Sequence, residues 1–410
     1  MALAQVETLP NGLMLAVEER PWTPGVAMQL LLPVGAVNDP EGMVGAAGLL
    51  EGWLWKGAGG RDARALADAF DALGVRRASS STLEHTAFSA QFLADKLPAV
   101  LSLYADVLQR PHLREETLEP VRQVALQELA ALEDQPPKKM FTALRQAVFA
   151  SPHGRNPSGV KAHLETLSPQ ALQDEFARRY GPKGAILVLV GGVDWAQAKE
   201  AVQQAFGGWQ GGLAEYPPVA LQPVQAIHLE QDTAQVQIGL IYPDLPPGHP
   251  EFYTARLAAQ VLSGGSSSRL FTEVREKRGL VYSVYATPNG VKGFSYLAAY
   301  AGTTPERASQ TLAVLQEEIA RLAQGVSQEE LERSQIGLRA ALVMQDESAR
   351  SRAASMARDL YLLGRVRSLE EIEAQIAAVD LPRLNRYLAA HPYQNPWMAT
   401  LGPRKIAVSH

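Results

Sequence analysis

Cysteine is absent from the 410-residue chain, which excludes disulfide scaffolds, thiolate metal sites and thiol nucleophiles. Long apolar runs are missing too, and none approaches the roughly 20 residues that a membrane-spanning helix requires. The opening MALAQVETLPNGLML has no basic region ahead of an apolar core, so it does not read as a secretory signal. Nor is there a block of like charge. The 38 basic and 43 acidic residues leave −5, without the basic stripe that nucleic acid or a membrane surface would need. The expected address is the cytoplasm, with neither nucleic acid nor membrane as a partner.

What is present is ordinary for a folded protein: 46% hydrophobic and 20% charged residues, enough for real cores. At roughly 100–200 residues per domain, this length predicts two to four domains. Two stretches follow similar element orders. Each opens on an apolar strand-like run, VAMQLLLPVG (Val26 to Gly35) and VQIGLIYPDL (Val236 to Leu245). Each continues with a polar loop, an amphipathic helix, alternating strands and a long helical stretch. Between them lies Gly207 to Pro223, with four Gly and three Pro in seventeen residues, which reads as a linker. The expected domains are therefore 1–206 and 224–410, joined by 207–223. Strands followed by runs of helix predict an α+β layer arrangement repeated twice. Ser327 with Glu330 reads as a capping box at a helix start, and Asp194 as the cap of the helix after VGGVDW.

Most routes to chemistry close quickly. The eight histidines are scattered, and no two lie close enough to share a helix face as a zinc pair. GGSSSRL (Gly264 to Leu270) lacks the lysine and second glycine of a phosphate-binding loop. VGGVDW (Val190 to Trp195) fails the dinucleotide fingerprint, and no G-x-S-x-G elbow occurs.

The segment GAAGLLEGWLWKG (Gly45 to Gly57) is more informative. Leu49, Leu50, Trp53 and Leu54 make an apolar helical stripe, yet Gly48 and Gly52 interrupt it at about 1 kcal/mol each relative to alanine. Gly48, Glu51 and Gly52 share one helix face. Read by themselves, the glycines let another backbone approach, with Glu51 at the helix edge.

This segment resembles the inverted zinc motif H-x-x-E-H of the pitrilysin/insulysin family, which includes the mitochondrial processing peptidases. The family pattern is G-x-A-H-x-L-E-H-x-x-x-K-G. Here Gly45, Ala47, Leu50, Glu51, Lys56 and Gly57 fit it, while Gly48 and Gly52 stand in place of both histidines. The similarity runs through NGL (Asn11 to Leu13), VGAVNDPEGMVG (Val34 to Gly45), STLEHT (Ser81 to Thr86) and LQELAALEDQP (Leu126 to Pro136). Glu128 lies 76 residues beyond Gly52, where the family places its third metal ligand, and an upstream family glutamate is Val121 here. Two carboxylates without imidazoles cannot make the N,N,O set of a catalytic zinc. The resemblance therefore implies a chain that binds no metal or other cofactor itself.

The second stretch resembles the family differently. RLFTEVREKRGLVYSVYA (Arg269 to Ala286) matches a segment that carries an Arg/Tyr pair seven residues apart, here Arg275 and Tyr282. In the family this pair reaches the zinc site formed by the opposite half of the assembly. A tyrosine O–H can donate to a developing oxyanion, and the arginine fork can hold a carbonyl or carboxylate. STLEHT follows the family's substrate strand, an edge strand that takes an extended peptide; the matching residues are Ala78, Ser79, Ser80 and Ser81, with Ala78 where the family has asparagine. A polar edge that avoids aggregation explains those serines equally well.

The resemblance implies the non-zinc subunit of a metallopeptidase that cleaves peptides in a closed chamber. Its partner would be a homologous subunit with an intact H-x-x-E-H and the zinc, and Arg275 and Tyr282 would act there in trans. The implied fold is two homologous α+β domains, each a mainly antiparallel sheet with helices on one face. The alternative is a catalytically inert family scaffold or peptide-binding protein.

Overall fold

The computed structural model describes residues 4–212 and 216–406. Two compact units emerge, each with its own sheet and core.

The first unit is built on a six-stranded sheet of β1 (Gln5–Thr8), β2 (Met14–Glu19), β3 (Gly25–Leu32), β6 (Arg76–Ser81), β7 (Thr86–Leu93) and β8 (Ile186–Gly191). A two-stranded ribbon, β4 (Gly57–Ala58) with β5 (Arg61–Asp62), stands apart. The main sheet runs β1-β2-β8-β3-β7-β6, with β2 and β8 parallel and the other neighbours antiparallel. One face carries α1 (Ala46–Leu54), α2 (Ala63–Ala72), α3 (Leu97–Gln109), α4 (Leu118–Ala130), α6 (Lys161–Thr166), α7 (Pro169–Arg179) and α8 (Trp195–Phe206).

The second unit has a five-stranded sheet: β9 (Ala226–Glu230), β10 (Val236–Asp244), β11 (Val281–Val291), β12 (Phe294–Thr303) and β13 (Trp397–Gly402). Its order is β11-β12-β10-β13-β9, with β9 and β13 parallel and the rest antiparallel. Helices α9 (Phe252–Ser263), α10 (Ala308–Ala320), α11 (Gln328–Glu347), α13 (Leu369–Ala377) and α14 (Leu381–Ala390) contribute to the core on one face. Strand for strand, β9-β13-β10-β12-β11 repeats β2-β8-β3-β7-β6 in order and direction. This is the duplication that the matched element order predicted.

Strand alternation explains why each sheet needs a second covering layer. In the first sheet Leu187 and Leu189 face the helical layer, while Ile186, Val188 and Val190 point the other way with Ala16, Ala27 and Leu31. Leaving that second face wet would forfeit about 1.5–3 kcal/mol per large side chain. Helix α12 (Ala349–Leu363) covers it with Ala353, Met356, Ala357 and Leu360. In the second unit α5 (Pro136–Val148) does the same, placing Met140, Leu144 and Val148 against Ile241, Ala298 and Leu401.

These two helices come from the other half of the sequence. The first unit comprises Met1–Ala131, Ser151–Pro217 and Gln345–Arg367, and the second comprises the remainder. The units thus cut across the expected boundaries 1–206 and 224–410 in two places, because each sheet's second apolar face is covered by a helix from the other stretch. The expected linker is also more structured than its composition suggests. Trp209 is buried in the first unit beside Phe206, and Gln222 N–H donates to the Val148 carbonyl in the second at 2.8 Å. Residues 213–215 of that segment lie outside the described residues.

A buried ion cluster fixes α12 on its sheet. Arg352 Nε lies 2.7 Å from Glu18 Oε2, and Arg20 Nη2 lies 2.7 Å from Glu18 Oε1, with Asp346 within 3.3 Å of both arginines.

Candidate functional site

The motif helix α1 forms where its N-terminal amides find an acceptor. Asp39, from the preceding loop, accepts from Gly45 N–H at 2.8 Å and Ala47 N–H at 3.1 Å. Arg179, itself buried, donates to the same carboxylate at 3.1 Å through both terminal nitrogens. Leu49, Leu50, Trp53 and Leu54 then enter the core, as the stripe predicted. The opposite side of α1 carries Gly48, Glu51 and Gly52.

These three positions are not equivalent. A β-carbon on Gly48 would have only the Pro157 carbonyl oxygen near it, at 3.9 Å, which is ordinary contact. A β-carbon on Gly52 would come within 2.9 Å of Val121 Cγ1. Val121 sits on α4, so either its side chain or the helix must shift to admit that atom. Next to it, Arg122 donates to the carbonyls of Leu164 and, at 2.6 Å, Leu167, tying α4 down, and a β-branched side chain has little rotamer freedom in a helix. A side chain at position 52 would thus meet Val121, the residue standing in for the upstream family glutamate.

Glu51 is half-buried and occupied. Its Oε1 accepts from the Ser79 hydroxyl, and Ser79 Oγ accepts from the Trp55 indole N–H at 2.9 Å. The Trp55 ring meets Phe70 edge-on at 5.8 Å and lies under the Arg77 guanidinium at 4.2 Å. Glu128 is exposed on α4. Among the described residues, no group of three or more His, Asp or Glu side chains is placed to hold a metal ion. The residues present do not fit a zinc ion: both imidazole positions are glycine, one is crowded, and the glutamate between them is bonded to a serine.

The histidines serve packing instead. His163 Nδ1 accepts from Val44 N–H at 3.1 Å, His112 Nε2 lies 2.7 Å from the Gly59 carbonyl, and His228 Nδ1 lies 2.8 Å from Thr400 Oγ1. His85 packs against Tyr361, and burial lowers its pKa, which favours the neutral ring. His410 lies outside the described residues.

The expected peptide-strand residues Ala78, Ser79 and Ser80 lie on β6, which among the described residues pairs only with β7, at the end of the sheet. Ser79 is the one among them that points to α1.

In the second unit, Arg275 lies in a π-helical turn (Phe271–Glu276) with its guanidinium 5.0 Å from the Phe271 ring centre. Such turns recur at functional sites. Glu273 takes the neighbouring cations, Lys277 at 2.7 Å and Arg278 at 2.8 Å, so Arg275 has no carboxylate partner among the described residues. Leu280 N–H bonds back to the Val274 carbonyl at 3.1 Å, closing the turn into β11. There Val281 pairs with Thr303 and Ser283 with Gly302, so Tyr282 is the extra residue of a β-bulge. The bulge turns its ring outward, 64% exposed, with no hydrogen bond among the described residues.

Three comparisons with known proteins agree with this architecture. Residues 14–158 match the model of the insulinase family (peptidase family M16), and residues 166–338 match that of the peptidase M16 inactive domain. An uncharacterized zinc protease of Bacillus subtilis, YmxG, is 26% identical over 92% of this chain and 93% of its own length. One from Rickettsia bellii is 28% identical over 98% of each. The crystal structure of a peptidase M16 inactive domain from Pseudomonas fluorescens superposes with a TM-score of 0.91 at 21% identity, covering 98% of both chains. A protease from Helicobacter pylori gives 0.88 at 20% identity over 98% of this chain and 100% of its own. At that identity the two structures speak for the fold alone.

Proposed function

Because this chain belongs to the insulinase family of peptidases, M16, and lacks the family's zinc motif, we propose that it is the non-zinc subunit of a two-subunit metallopeptidase. The partner is a homologous subunit with an intact H-x-x-E-H, which supplies the zinc and the general base. This chain supplies Arg275 and Tyr282, and the substrates are unfolded peptides small enough to enter the closed chamber between the subunits.

One observation carries the reading. Arg275 and Tyr282 are both exposed, and their side chains make no ion pair or hydrogen bond among the described residues, the Arg275 guanidinium lying only against the Phe271 ring. Folding gains little from holding a tyrosine ring 64% in water at a bulge. In the assembled enzyme the Tyr282 hydroxyl donates to the oxygen of a peptide carbonyl as it becomes an oxyanion, and the Arg275 fork orients a neighbouring carbonyl or carboxylate.

The test is co-purification with an H-x-x-E-H homologue, followed by turnover of an internally quenched peptide. Tyr282→Phe is expected to lower kcat while the two subunits still elute together; unchanged turnover removes the proposed role. Zinc per chain, measured on the protein alone after incubation with excess zinc and desalting, is expected near zero. One zinc per chain, lost on Glu51→Gln, would replace this reading with an unusual enzyme. The position of β6 at the end of the sheet favours the second reading, an inert scaffold or peptide-binding protein, in which peptide binds the isolated chain and Tyr282→Phe changes nothing.

A further inference from the structure

Strand β6 is an improbable strand by composition. Its sequence, RRASSS, holds no β-branched or aromatic residue, and serine hydroxyls compete with the ladder for backbone groups. It lies at the sheet edge, pairs on one side only among the described residues, and most of it is exposed. Such an edge should fray, yet six consecutive residues pair in register with β7, from Arg76 with Gln91 to Ser81 with Thr86.

The grip comes from the end of the motif helix. Residues 77 and 79 share one face of the strand. Ser79 donates to the Glu51 carboxylate and accepts from the Trp55 indole, while the Arg77 guanidinium lies 4.2 Å from the centre of the Trp55 ring. A hydrogen bond to a charged acceptor is roughly twice as strong as a neutral one. Glu51 is the only acid of this grip.

We infer that Glu51 is a positioning residue for the sheet edge: through Ser79 it holds β6 extended and in register. The glutamate in the general-base position of the family motif thereby has a role that involves no metal. Proton abstraction needs a free carboxylate oxygen aimed at water, whereas this role needs only an acceptor aimed at a serine. What the edge is held for, an extended peptide, rests on the reading above; that Glu51 holds it does not.

Amide hydrogen exchange on the full chain alone, read by mass spectrometry over residues 76–81, tests this. Glu51→Ala and Ser79→Ala are each expected to speed exchange there by about tenfold, the size of one charge-assisted hydrogen bond. Peptides from β3 and β8 should stay at the wild-type rate. Glu51→Gln keeps a neutral acceptor of about half the strength and should exchange about threefold faster than wild type, between wild type and Glu51→Ala, and the double variant should be no faster than either single one. The inference is overturned if Glu51→Gln exchanges as fast as Glu51→Ala, if Ser79→Ala has no effect, or if the acceleration spreads equally to β3 and β8. No partner, zinc or peptide enters the measurement, so its failure leaves the subunit reading intact, and the loss of that reading leaves this one.

Discussion

In the first unit, the polar groups around α1 are turned inward on one another: Asp39 on Arg179 and two helix amides, Glu51 on Ser79, Ser79 on Trp55. In the second, the turn from Phe271 to Tyr282 leaves an arginine and a tyrosine facing water. Both regions lie in segments matched by M16 family models, and they differ in opposite ways. Where glycines stand at the ligand positions, Val121 crowds one of them, the other is open, and the carboxylate between them is bonded to a serine. Arg275 and Tyr282 stay exposed, and their side chains make no hydrogen bond or ion pair among the described residues. The two regions thus differ in whether their polar side chains are satisfied from within.

Several substitutions would break or sharpen that contrast. The largest loss of stability is expected from Asp39→Asn, which removes one of the two carboxylates on the buried Arg179, leaving Glu175 Oε2 at 2.9 Å from its Nε, and weakens the acceptor of two helix amides. Urea unfolding should show a cost of about 2–3 kcal/mol. Tyr282→Phe should leave that unfolding curve unchanged and instead reduce kcat of the assembled enzyme by about 10²-fold, the effect of removing one oxyanion donor. A drop in stability from Tyr282→Phe would blur the distinction between the regions. Gly52→His should cost about 1–3 kcal/mol by overpacking against Val121, with part of the loss recovered in the Val121→Ala background. Equal tolerance of histidine at positions 48 and 52 would show that the second ligand position is open after all. The smallest change is Gly48→Ala, which meets only the Pro157 oxygen at 3.9 Å and should stabilise the chain by up to about 1 kcal/mol through helix propensity.

Much of the molecule was legible in the sequence because local chemistry decides it. The runs at Val26 and Val236 become β3 (Gly25–Leu32) and β10 (Val236–Asp244). The Ser327 and Glu330 capping box forms as written: Glu330 N–H bonds to Ser327 Oγ at 3.2 Å, and Ser327 N–H to Glu330 Oε2 at 2.8 Å. Asp194 caps α8 by accepting from Gln197 N–H at 2.9 Å. The two glycines in the motif are legible for a simpler reason: glycine has no side chain with which to bind a metal.

The partners of those glycines were not legible. Nothing in LEPVRQVALQ says that Val121 will stand 2.9 Å from the place of a missing β-carbon, and nothing in RRASSS says that Ser79 will donate to Glu51. These contacts join residues 69 and 28 positions apart and exist only once α1, α4 and β6 are packed. The exchange of α5 and α12 between the halves is hidden for the same reason. Their apolar periodicity says that each must cover something, but not which sheet. The sequence by itself determined elements such as β3, β10 and the capped helices, the duplicated order and the loss of the ligand set, since each depends on residue type and near neighbours. The tertiary structure alone decided which helix covers which sheet, what crowds position 52 and what the surviving glutamate touches, because these depend on distances that only the packed chain defines.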